Sequence, residues 1–296
     1  MNNAFDSWQN SHQDRINKFL KKKLHNSKTQ NTIREATTYA LLNGGKRFRA
    51  LLIYAIGEIN ATDKTNLDFI AASIEIIHAY SLTHDDLPEM DDDPLRRGLP
   101  SCHIKYGASQ AILAGDGLQS LAFEFLVSPD FCVSDAEKID LISFLSKAIG
   151  INGMVYGQSL DMECSNKEID IKLLEKIQRK KTGELIHAAC TMSYSISNFF
   201  EPSVQEHISK LAYLLGQLYQ IIDDILDNTS TSENLGKTCG KDQKDNKATY
   251  VSILGVVKSK KIKEGFYFEI KELVKKIPGN TQILDHLIDK IYARDY

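Results

Sequence analysis

Two short runs rich in aspartate carry the most distinctive chemistry in this chain. The first, HDDLPEMDDD, places six carboxylates within nine residues from Asp85 onward. The second, DDILD, places Asp223, Asp224 and Asp227 on one side of a helix, because residues four apart on a helix are separated by only about 40°. Carboxylates this dense repel one another, and their oxygens suit hard divalent cations such as Mg²⁺. The two runs therefore predict Mg²⁺ sites that keep coordination positions for substrate phosphate oxygens.

A phosphate-bearing substrate also needs cationic partners, and short basic sets provide them. They are Lys46, Arg47 and Arg49 after Gly44-Gly45, then Arg96 and Arg97, then Lys181 with Thr182, then Lys237 and Lys241. Each set alone is explained equally well by a helix cap or a solvated turn. Six aspartates and a diphosphate of about −3 would be balanced by three Mg²⁺ and three cationic side chains. The joint occurrence of acidic and basic sets predicts a polyphosphate site.

Helices must position these residues. The run FIAASIEIIHAYSLTH before Asp85 is apolar and helical, and Pro88 should end this helix and let Asp91 turn back toward Asp85. The run LAYLLGQLYQIIDDILD has a broad apolar stripe typical of a core helix, so the second aspartate run is embedded in a core.

Apolar spacing near 3.6 residues predicts an all-α protein. Helices are expected near 5–24, 28–42, 46–58, 66–87, 108–127, 135–162, 168–195, 203–227, 244–257, 259–276 and 281–293. Ser134, Ser165 and Ser203 each stand three residues before a glutamate, which predicts three capping boxes. No linker interrupts residues 1–296, so a single domain is expected, with a functional loop over 228–246.

Composition excludes several classes of protein. The 296 residues carry 36 basic and 39 acidic side chains, a net charge of −3 that argues against a nucleic-acid binder. Five dispersed cysteines without a C-x-x-C pair predict reduced thiols. The N-terminus lacks signal-peptide features, and no apolar stretch approaches the roughly 20 residues that span a bilayer. We expect a cytoplasmic protein without stable membrane insertion.

Beyond these patterns, the ordered motifs of the chain resemble the trans-isoprenyl diphosphate synthases, and within them the bacterial farnesyl diphosphate synthases. The motifs are GGKRFR, HAYSLTHDDLPEMDDDPLRRGLPSCH, LAGD, KTGELI, YQIIDDILD and LGKTCGKD. The resemblance implies a single polyprenyl synthetase domain with the isoprenoid synthase fold, in which antiparallel helices surround a deep central cavity. It also implies a homodimer.

The resemblance assigns roles by position in the motifs. Metal binding falls to Asp85, Asp91 and Asp223, with Asp86, Asp224 and Asp227 in the same motifs. The allylic diphosphate site corresponds to Arg96, Lys181, Thr182, Gln220 and Lys237, with Lys247 nearby. The isopentenyl diphosphate site corresponds to Lys46, Arg49, His78 and Arg97. The residues implied to carry the chemistry most directly are Asp85, Asp91, Lys181 and Asp223.

The implied reaction condenses dimethylallyl or geranyl diphosphate with isopentenyl diphosphate, giving farnesyl diphosphate and diphosphate with Mg²⁺ as cofactor. Cations stabilise the departing diphosphate, and the resulting carbocation is attacked by the double bond of isopentenyl diphosphate. No protein nucleophile is required and no histidine or glutamate is assigned as the base. His84 and His103 are expected to be structural.

Product length rests on residues before the first aspartate run. Tyr80 lies five residues before Asp85, about 7.5 Å along a helix axis, and Ser81 follows it. An aromatic residue there resembles C15 synthases, although Tyr80 and Asp85 are about 140° apart on an ideal helix. Three alternatives stay open: a C20 geranylgeranyl diphosphate synthase, a class I terpene cyclase, and an all-helical protein that only binds metal or acidic partners.

Overall fold

A computed structural model describes residues 3–24, 31–229 and 248–294 of the chain. Most of these residues are helical and very few lie in strands, which confirms the predicted all-α class. Their contacts divide the chain into two compact units, each described by itself below. The first unit comprises Met1–Gly57 and Thr62–Ile142, and the second comprises Glu58–Ala61 and Ser143–Tyr296.

In the described residues, the first unit is built from helices and a short hairpin, and two of these helices cross its boundary. The helices are α1 (Asn3–Leu24), α2 (Thr32–Leu42), α3 (Phe48–Ile59), α4 (Lys64–Asp85), α5 (Cys102–Tyr106) and α6 (Ala108–Leu126), followed by α7 (Asp135–Ile149). The antiparallel strands are β1 (Leu95–Arg96) and β2 (Leu99–Pro100). Apolar spacing does not reveal this two-residue ladder, because each strand is too short to show alternation.

Helix α4 is the central helix of this unit. Asp63 caps its start by accepting a hydrogen bond from the Thr65 N–H at 2.8 Å. The helix is buried on almost every side between Leu67 and Thr83. It is therefore surrounded by other elements and does not pack through a single apolar face. Ser73 donates to the Ala122 carbonyl of α6 at 2.9 Å, which joins the two helices.

Two ion pairs with buried carboxylates hold α4 to the chain before it. The guanidinium of Arg47 donates to Glu75 at 3.2 Å, and both side chains are almost fully buried. Arg47 also donates to Asn17 and to the Leu41 carbonyl. Arg15 and Asp68 form a second, bidentate pair at 2.7 Å. Arg47 is therefore a packing residue, unlike its neighbours in GGKRFR.

The second unit contains the remaining helices, including one turn of π-helix. They are α8 (Met154–Cys164), α9 (Ile171–Gln178), a π-helix (Arg179–Gly183), α10 (Glu184–Ser195), α11 (Pro202–Thr229), α12 (Tyr250–Leu254), α13 (Val256–Val274) and α14 (Gln282–Tyr292). Helix α11 packs against α10, α13 and the π-helix. Three packed neighbours explain the broad apolar stripe of its sequence.

Glycines allow the π-helix to be approached closely from two sides. A Cβ added at Gly157 would lie 2.1 Å from the Lys181 backbone nitrogen. A Cβ at Gly216 would lie 2.9 Å from the Gly183 Cα. Only glycine permits such distances, so α8 and α11 contact the π-helix backbone directly. These contacts set the position of Lys181 and Thr182.

Several predicted element boundaries were wrong. The helix expected over 135–162 is interrupted at 150–153, where the Gly153 N–H donates to the Gly150 carbonyl at 2.9 Å. The helix expected over 168–195 is three segments, because the π-helix interrupts it. The capping box at Ser134 is confirmed by hydrogen bonds with Glu137.

The other two capping boxes were wrong. Asp170 caps α9 in place of Ser165, by accepting from the Leu173 N–H at 2.8 Å. Ser203 lies inside α11, which begins at Pro202. Proline is favoured at the first helical position because its missing N–H needs no partner there.

One helical stretch, Asp135–Cys164, meets the length and composition test for a membrane span, with a mean hydropathy of 1.2 over its best window. The turn at 150–153 divides this stretch into helices of 15 and 11 residues. Each is shorter than the roughly 20 residues that cross a bilayer.

Glu75→Ala should lower the free energy of unfolding by about 3–5 kcal/mol, because it leaves the Arg47 charge buried without its carboxylate. Urea denaturation monitored by circular dichroism measures this loss. Glu269→Ala is the control, since its pair with Lys210 is exposed, and it should change stability by no more than about 0.5 kcal/mol. Equal effects of the two substitutions would contradict the structural role of the Arg47–Glu75 pair.

Candidate active site

The first aspartate run forms a tight turn at the end of α4. The helix ends at Asp85, and the Asp91 N–H donates to the Asp85 carbonyl at 2.9 Å. The N–H groups of Met90 and Asp92 both donate to the Leu87 carbonyl. The prediction that the chain turns at Pro88 and returns Asp91 to Asp85 is confirmed. Two carboxylate-bearing residues thus stand together at one helix end.

The β1–β2 hairpin places two arginines in different directions. Its turn residues, Arg97 and Gly98, both have positive φ angles, of 56° and 76°, the pattern of a tight two-residue hairpin. Arg96 forms a fork of hydrogen bonds with Asp86, whose side chain is buried. Burial opposes the charge of Arg96, but the hydrogen bonds and charge of Asp86 outweigh it and raise the arginine pKa. Asp86 is therefore committed to Arg96 in this structure.

Arg97 turns instead toward the glycine pair that precedes α3. Its guanidinium donates to Asn43 at 3.1 Å and to the Gly44 carbonyl. A Cβ at Gly45 would lie 2.7 Å from the Arg97 guanidinium carbon, so glycine is needed for this approach. Arg96 and Arg97 both line a cleft with Asn43, Thr83 and Cys102.

Positive charge accumulates around His78. Burial lowers the pKa of His78 well below 6.5, and the charges of Arg49 and Arg97 lower it further. Burial and the neighbouring Arg47 also lower the pKa of Arg97 to about 10. The cluster therefore holds a neutral imidazole among guanidinium groups. An anion bound here would relieve the repulsion between the arginines.

Lys46 lies at the edge of the same region. Its side chain is exposed, and its backbone carbonyl accepts a hydrogen bond from Gln13 at 2.7 Å. The first unit therefore brings together the aspartates of the first run and the basic residues assigned by resemblance to isopentenyl diphosphate.

In the second unit, Lys181 and Thr182 project from the π-helix, a feature frequent at functional sites. The Lys181 ammonium lies 2.7 Å from Asp161 of α8. The Thr182 hydroxyl donates to the Gln220 side chain on α11 at 2.7 Å. Three residues predicted to bind the allylic diphosphate, Lys181, Thr182 and Gln220, are thus brought together.

The second aspartate run is held by specific partners. Asp224 is buried and accepts hydrogen bonds from Gln178 at 3.2 Å and from the Tyr250 N–H at 2.8 Å. Asp223 pairs with Arg294 at 2.9 Å. Asp227 is also buried, one turn further along α11.

Sequence profiles identify the family to which these motifs belong. The profile of the polyprenyl synthetase family matches residues 30–291. The chain belongs to the polyprenyl synthetase family. The match begins before the glycine pair and includes both aspartate runs.

Individual members of the family are similar over most of this chain. A farnesyl diphosphate synthase from Haemophilus influenzae is 43% identical, over 92% of each chain. A chloroplastic geranylgeranyl pyrophosphate synthase from Capsicum annuum is 39% identical, over 83% of this chain and 66% of that protein. The crystal structure of a geranyltransferase from Helicobacter pylori, complexed with magnesium and isoprenyl diphosphate, superposes with a TM-score of 0.86 at 31% identity, over 96% of this chain and 95% of that one.

The carboxylates of this polyprenyl synthetase fit Mg²⁺ by their donor chemistry. Asp85 and Asp91 offer hard oxygen ligands, and the backbone hydrogen bond between them keeps the two residues adjacent. Among residues 3–24, 31–229 and 248–294, no three acidic, histidine or cysteine side chains form a preformed cage. Proteins usually bind Mg²⁺ through one or two carboxylates, with water and substrate phosphates completing the shell.

Some predicted residues fall outside the described chain, and some functional partners were not predicted. Lys237, Lys241 and Lys247 belong to the first group. Asp161, Gln178 and Arg294 belong to the second, since each contacts a predicted site residue. A lone acid, amide or arginine carries no spacing signal, so a single sequence could not have revealed them.

Titration of His78 tests the basic cluster. Its NMR ring signals should show no protonation until the pH falls well below 6.5, and inorganic pyrophosphate should raise its pKa by offsetting the arginine charges. In the unfolded chain His78 takes up a proton near pH 6.5, whereas in the folded protein its pKa lies well below that value. Lowering the pH through 6.5 therefore lowers the free energy of unfolding.

His78→Gln removes the signal and thereby assigns it. A His78 pKa that does not change with pyrophosphate would contradict an anion site at this cluster.

Proposed function

We propose that this polyprenyl synthetase is a Mg²⁺-dependent prenyltransferase that makes farnesyl diphosphate from isopentenyl diphosphate and dimethylallyl or geranyl diphosphate. The observation that carries this proposal is the pairing of two chemistries within the first unit. Asp85 and Asp91 offer metal ligands at the end of α4, while Arg49 and Arg97 surround a neutral His78 earlier on the same helix. Metal ligands beside an anion site suit a substrate that carries a diphosphate.

The basic residues divide between two diphosphates in this proposal. Lys46, Arg49 and Arg97 hold isopentenyl diphosphate, and the uncharged His78 contributes a hydrogen bond. Arg96, Lys181, Thr182 and Gln220 hold the allylic diphosphate. Lys237 and Lys247, outside the described residues, are assigned to the same substrate by resemblance.

Acidic partners hold two of these cationic side chains in fixed orientations. Asp86 orients Arg96 through two or more hydrogen bonds, and Asp161 orients Lys181. Preorganised cations stabilise charge that develops on a leaving group without having to reorganise during the reaction. By resemblance we assign Asp85 and Asp91 as the main metal ligands of the first run, with Asp86 held by Arg96 beside them. Asp223, supported by Asp224 and Asp227, serves the second.

The chain's contribution to the reaction is electrostatic. When bound, Mg²⁺ supplies positive charge to the diphosphate oxygens as a Lewis acid. Arg96 and Lys181 receive the diphosphate as the allylic C–O bond breaks. The double bond of isopentenyl diphosphate then attacks the allylic cation, and the proton lost in closing the new double bond passes to the released diphosphate. No nucleophilic side chain takes part.

Other properties of the proposal follow from the family. The family profile spans both compact units without a break, which supports one polyprenyl synthetase domain over residues 1–296. Three Mg²⁺ per site is an assumed stoichiometry that, with three cationic side chains, would balance two aspartate runs and one diphosphate. A cytoplasmic location is supported by the free thiols of Cys102, Cys132, Cys164 and Cys190, which a reducing compartment permits.

A farnesyl product is favoured over the C20 alternative by Tyr80. This side chain is half-buried on α4, five residues before Asp85, at a depth of about 7.5 Å along the helix. A bulky ring at that depth limits the length of the product. Ser81 beside it donates to the His78 carbonyl at 3.0 Å, so it is the lesser determinant.

The decisive experiment supplies labelled isopentenyl diphosphate with each allylic primer and identifies products by chromatography. Wild-type protein should form a C15 product only when Mg²⁺ is present. Asp91→Asn should lower kcat/KM by about 10²-fold or more, since it removes a ligand that stabilises transition-state charge. The matched control is Asp92→Asn, an exposed neighbour with a φ of 46° that asparagine tolerates. Mg²⁺-independent turnover, or equal losses in both variants, would contradict the proposed metal site.

A homodimer is part of the proposal. Helices α6 and α7 expose large apolar side chains, including Leu113 at 52% and Ile139 at 66% of their surfaces. Large apolar side chains exposed to solvent can mark protein interfaces. We therefore assign this region to contact with a second copy of the chain.

Light scattering after size-exclusion chromatography should give wild-type protein a mass of twice 33.3 kDa. The double variant Leu113→Asp with Ile139→Asp should run as a monomer, because two carboxylates would then be buried in the interface. Val257→Asp is the control, because Val257 is 84% exposed on α13. A double variant that stays dimeric would place the interface elsewhere.

A further inference from the structure

His84 connects Tyr80 to helix α6. The two residues are one turn apart on α4, and their ring centroids lie 5.0 Å apart with an interplanar angle of 75°. This edge-to-face arrangement is a preferred geometry for aromatic rings. On its other side, the His84 Nε2 lies 3.0 Å from the Ile112 carbonyl of α6. One imidazole thus contacts both the tyrosine ring and the backbone of the neighbouring helix.

Gly115 makes room for this imidazole. A Cβ added at Gly115 would lie 2.1 Å from Nε2 and 2.3 Å from Cδ2 of His84. No rotation of an alanine methyl group relieves such a distance, so the histidine can sit here only against a glycine. Because Ile112 and Gly115 are three residues apart on α6, they lie on the same face and contact the ring together.

The hydrogen bond also determines which ring nitrogen of His84 carries the proton. A carbonyl only accepts, so Nε2 carries the proton and donates it to Ile112. Asp116 lies further away, with its Oδ1 4.0 Å from Nε2. The imidazole is therefore held by backbone geometry, and its edge is presented to Tyr80 in a fixed orientation.

We propose that His84 is a positioning residue for product length: it fixes the Tyr80 ring in the orientation that ends chain growth. The inference rests on the proposed function, because it takes Tyr80 as the residue that limits the product. Without the imidazole, Tyr80 would keep its place in the sequence but gain rotamers that let a longer chain pass. His84 touches no reacting atom in this account and acts only through Tyr80.

The test measures the ratio of C20 to C15 product in five proteins: wild type, Tyr80→Ala, His84→Gln, Gly115→Ala and Gly117→Ala. Tyr80→Ala removes the ring. His84→Gln keeps a donor for the Ile112 carbonyl but removes the aromatic edge. Gly115→Ala displaces the imidazole by collision. Gly117→Ala makes the same chemical change two residues later on α6, where an added Cβ meets nothing within 4 Å.

The inference predicts that Tyr80→Ala, His84→Gln and Gly115→Ala each raise the ratio at least threefold, while Gly117→Ala leaves it at the wild-type value. A structural role alone would lower the turnover or the melting temperature without changing the ratio, so both are measured beside it.

Two outcomes overturn the inference in distinguishable ways. If Tyr80→Ala lengthens the product but folded His84→Gln and Gly115→Ala keep the wild-type ratio, His84 does not position Tyr80. If Tyr80→Ala leaves the ratio unchanged, Tyr80 does not limit the product, and the inference fails with that part of the proposed function. Absence of any prenyl product from the wild type would instead refute the prenyltransferase function itself.

Discussion

A carboxylate that leaves water must be given a cation or a hydrogen-bond donor, and this requirement organises both units of the protein. In the first unit, Glu75 faces Arg47, Asp68 faces Arg15, and Asp86 faces Arg96. In the second, Asp224 is held by an amide and a backbone N–H. These partners neutralise several acidic side chains that cannot be told apart from the sequence alone.

Several side chains predicted to be functional stand where regular helix stops. Asp85 ends α4, Arg97 occupies a tight hairpin turn, and Lys181 projects from a π-helix. At such points the backbone leaves the 3.6-residue repeat, so a side chain can be aimed independently of the helix face. Glycines allow these irregular segments to be approached closely, at Gly45 for Arg97 and at Gly157 for Lys181. Rigid helices behind each irregular segment then hold its side chains in place.

The basic cluster around His78 shows why a buried histidine need not be an acid or base. Burial first, and the guanidinium groups on neighbouring elements after it, lower the pKa of the ring, so it can donate and accept hydrogen bonds as a neutral imidazole near neutral pH. This fits a reaction in which the protein stabilises a diphosphate and supplies no nucleophile. His84 likewise has no assigned role as an acid or base. Its ring is held by the backbone of α6 and contacts an aromatic neighbour.

The sequence by itself determined the all-α class, the two aspartate runs, the turn at Pro88 and the family, because each of these is encoded in local spacing. It did not determine the break at 150–153, the π-helix at Arg179–Gly183 or the cap at Asp170, which depend on packing as well as propensity. It also could not show that Arg47 is a packing residue while Arg97 joins the site, or that Asp161 meets Lys181. Residues of the same type differ only in what surrounds them, and the tertiary structure alone decides their surroundings, because residues distant in sequence are brought into contact by the packing of whole helices.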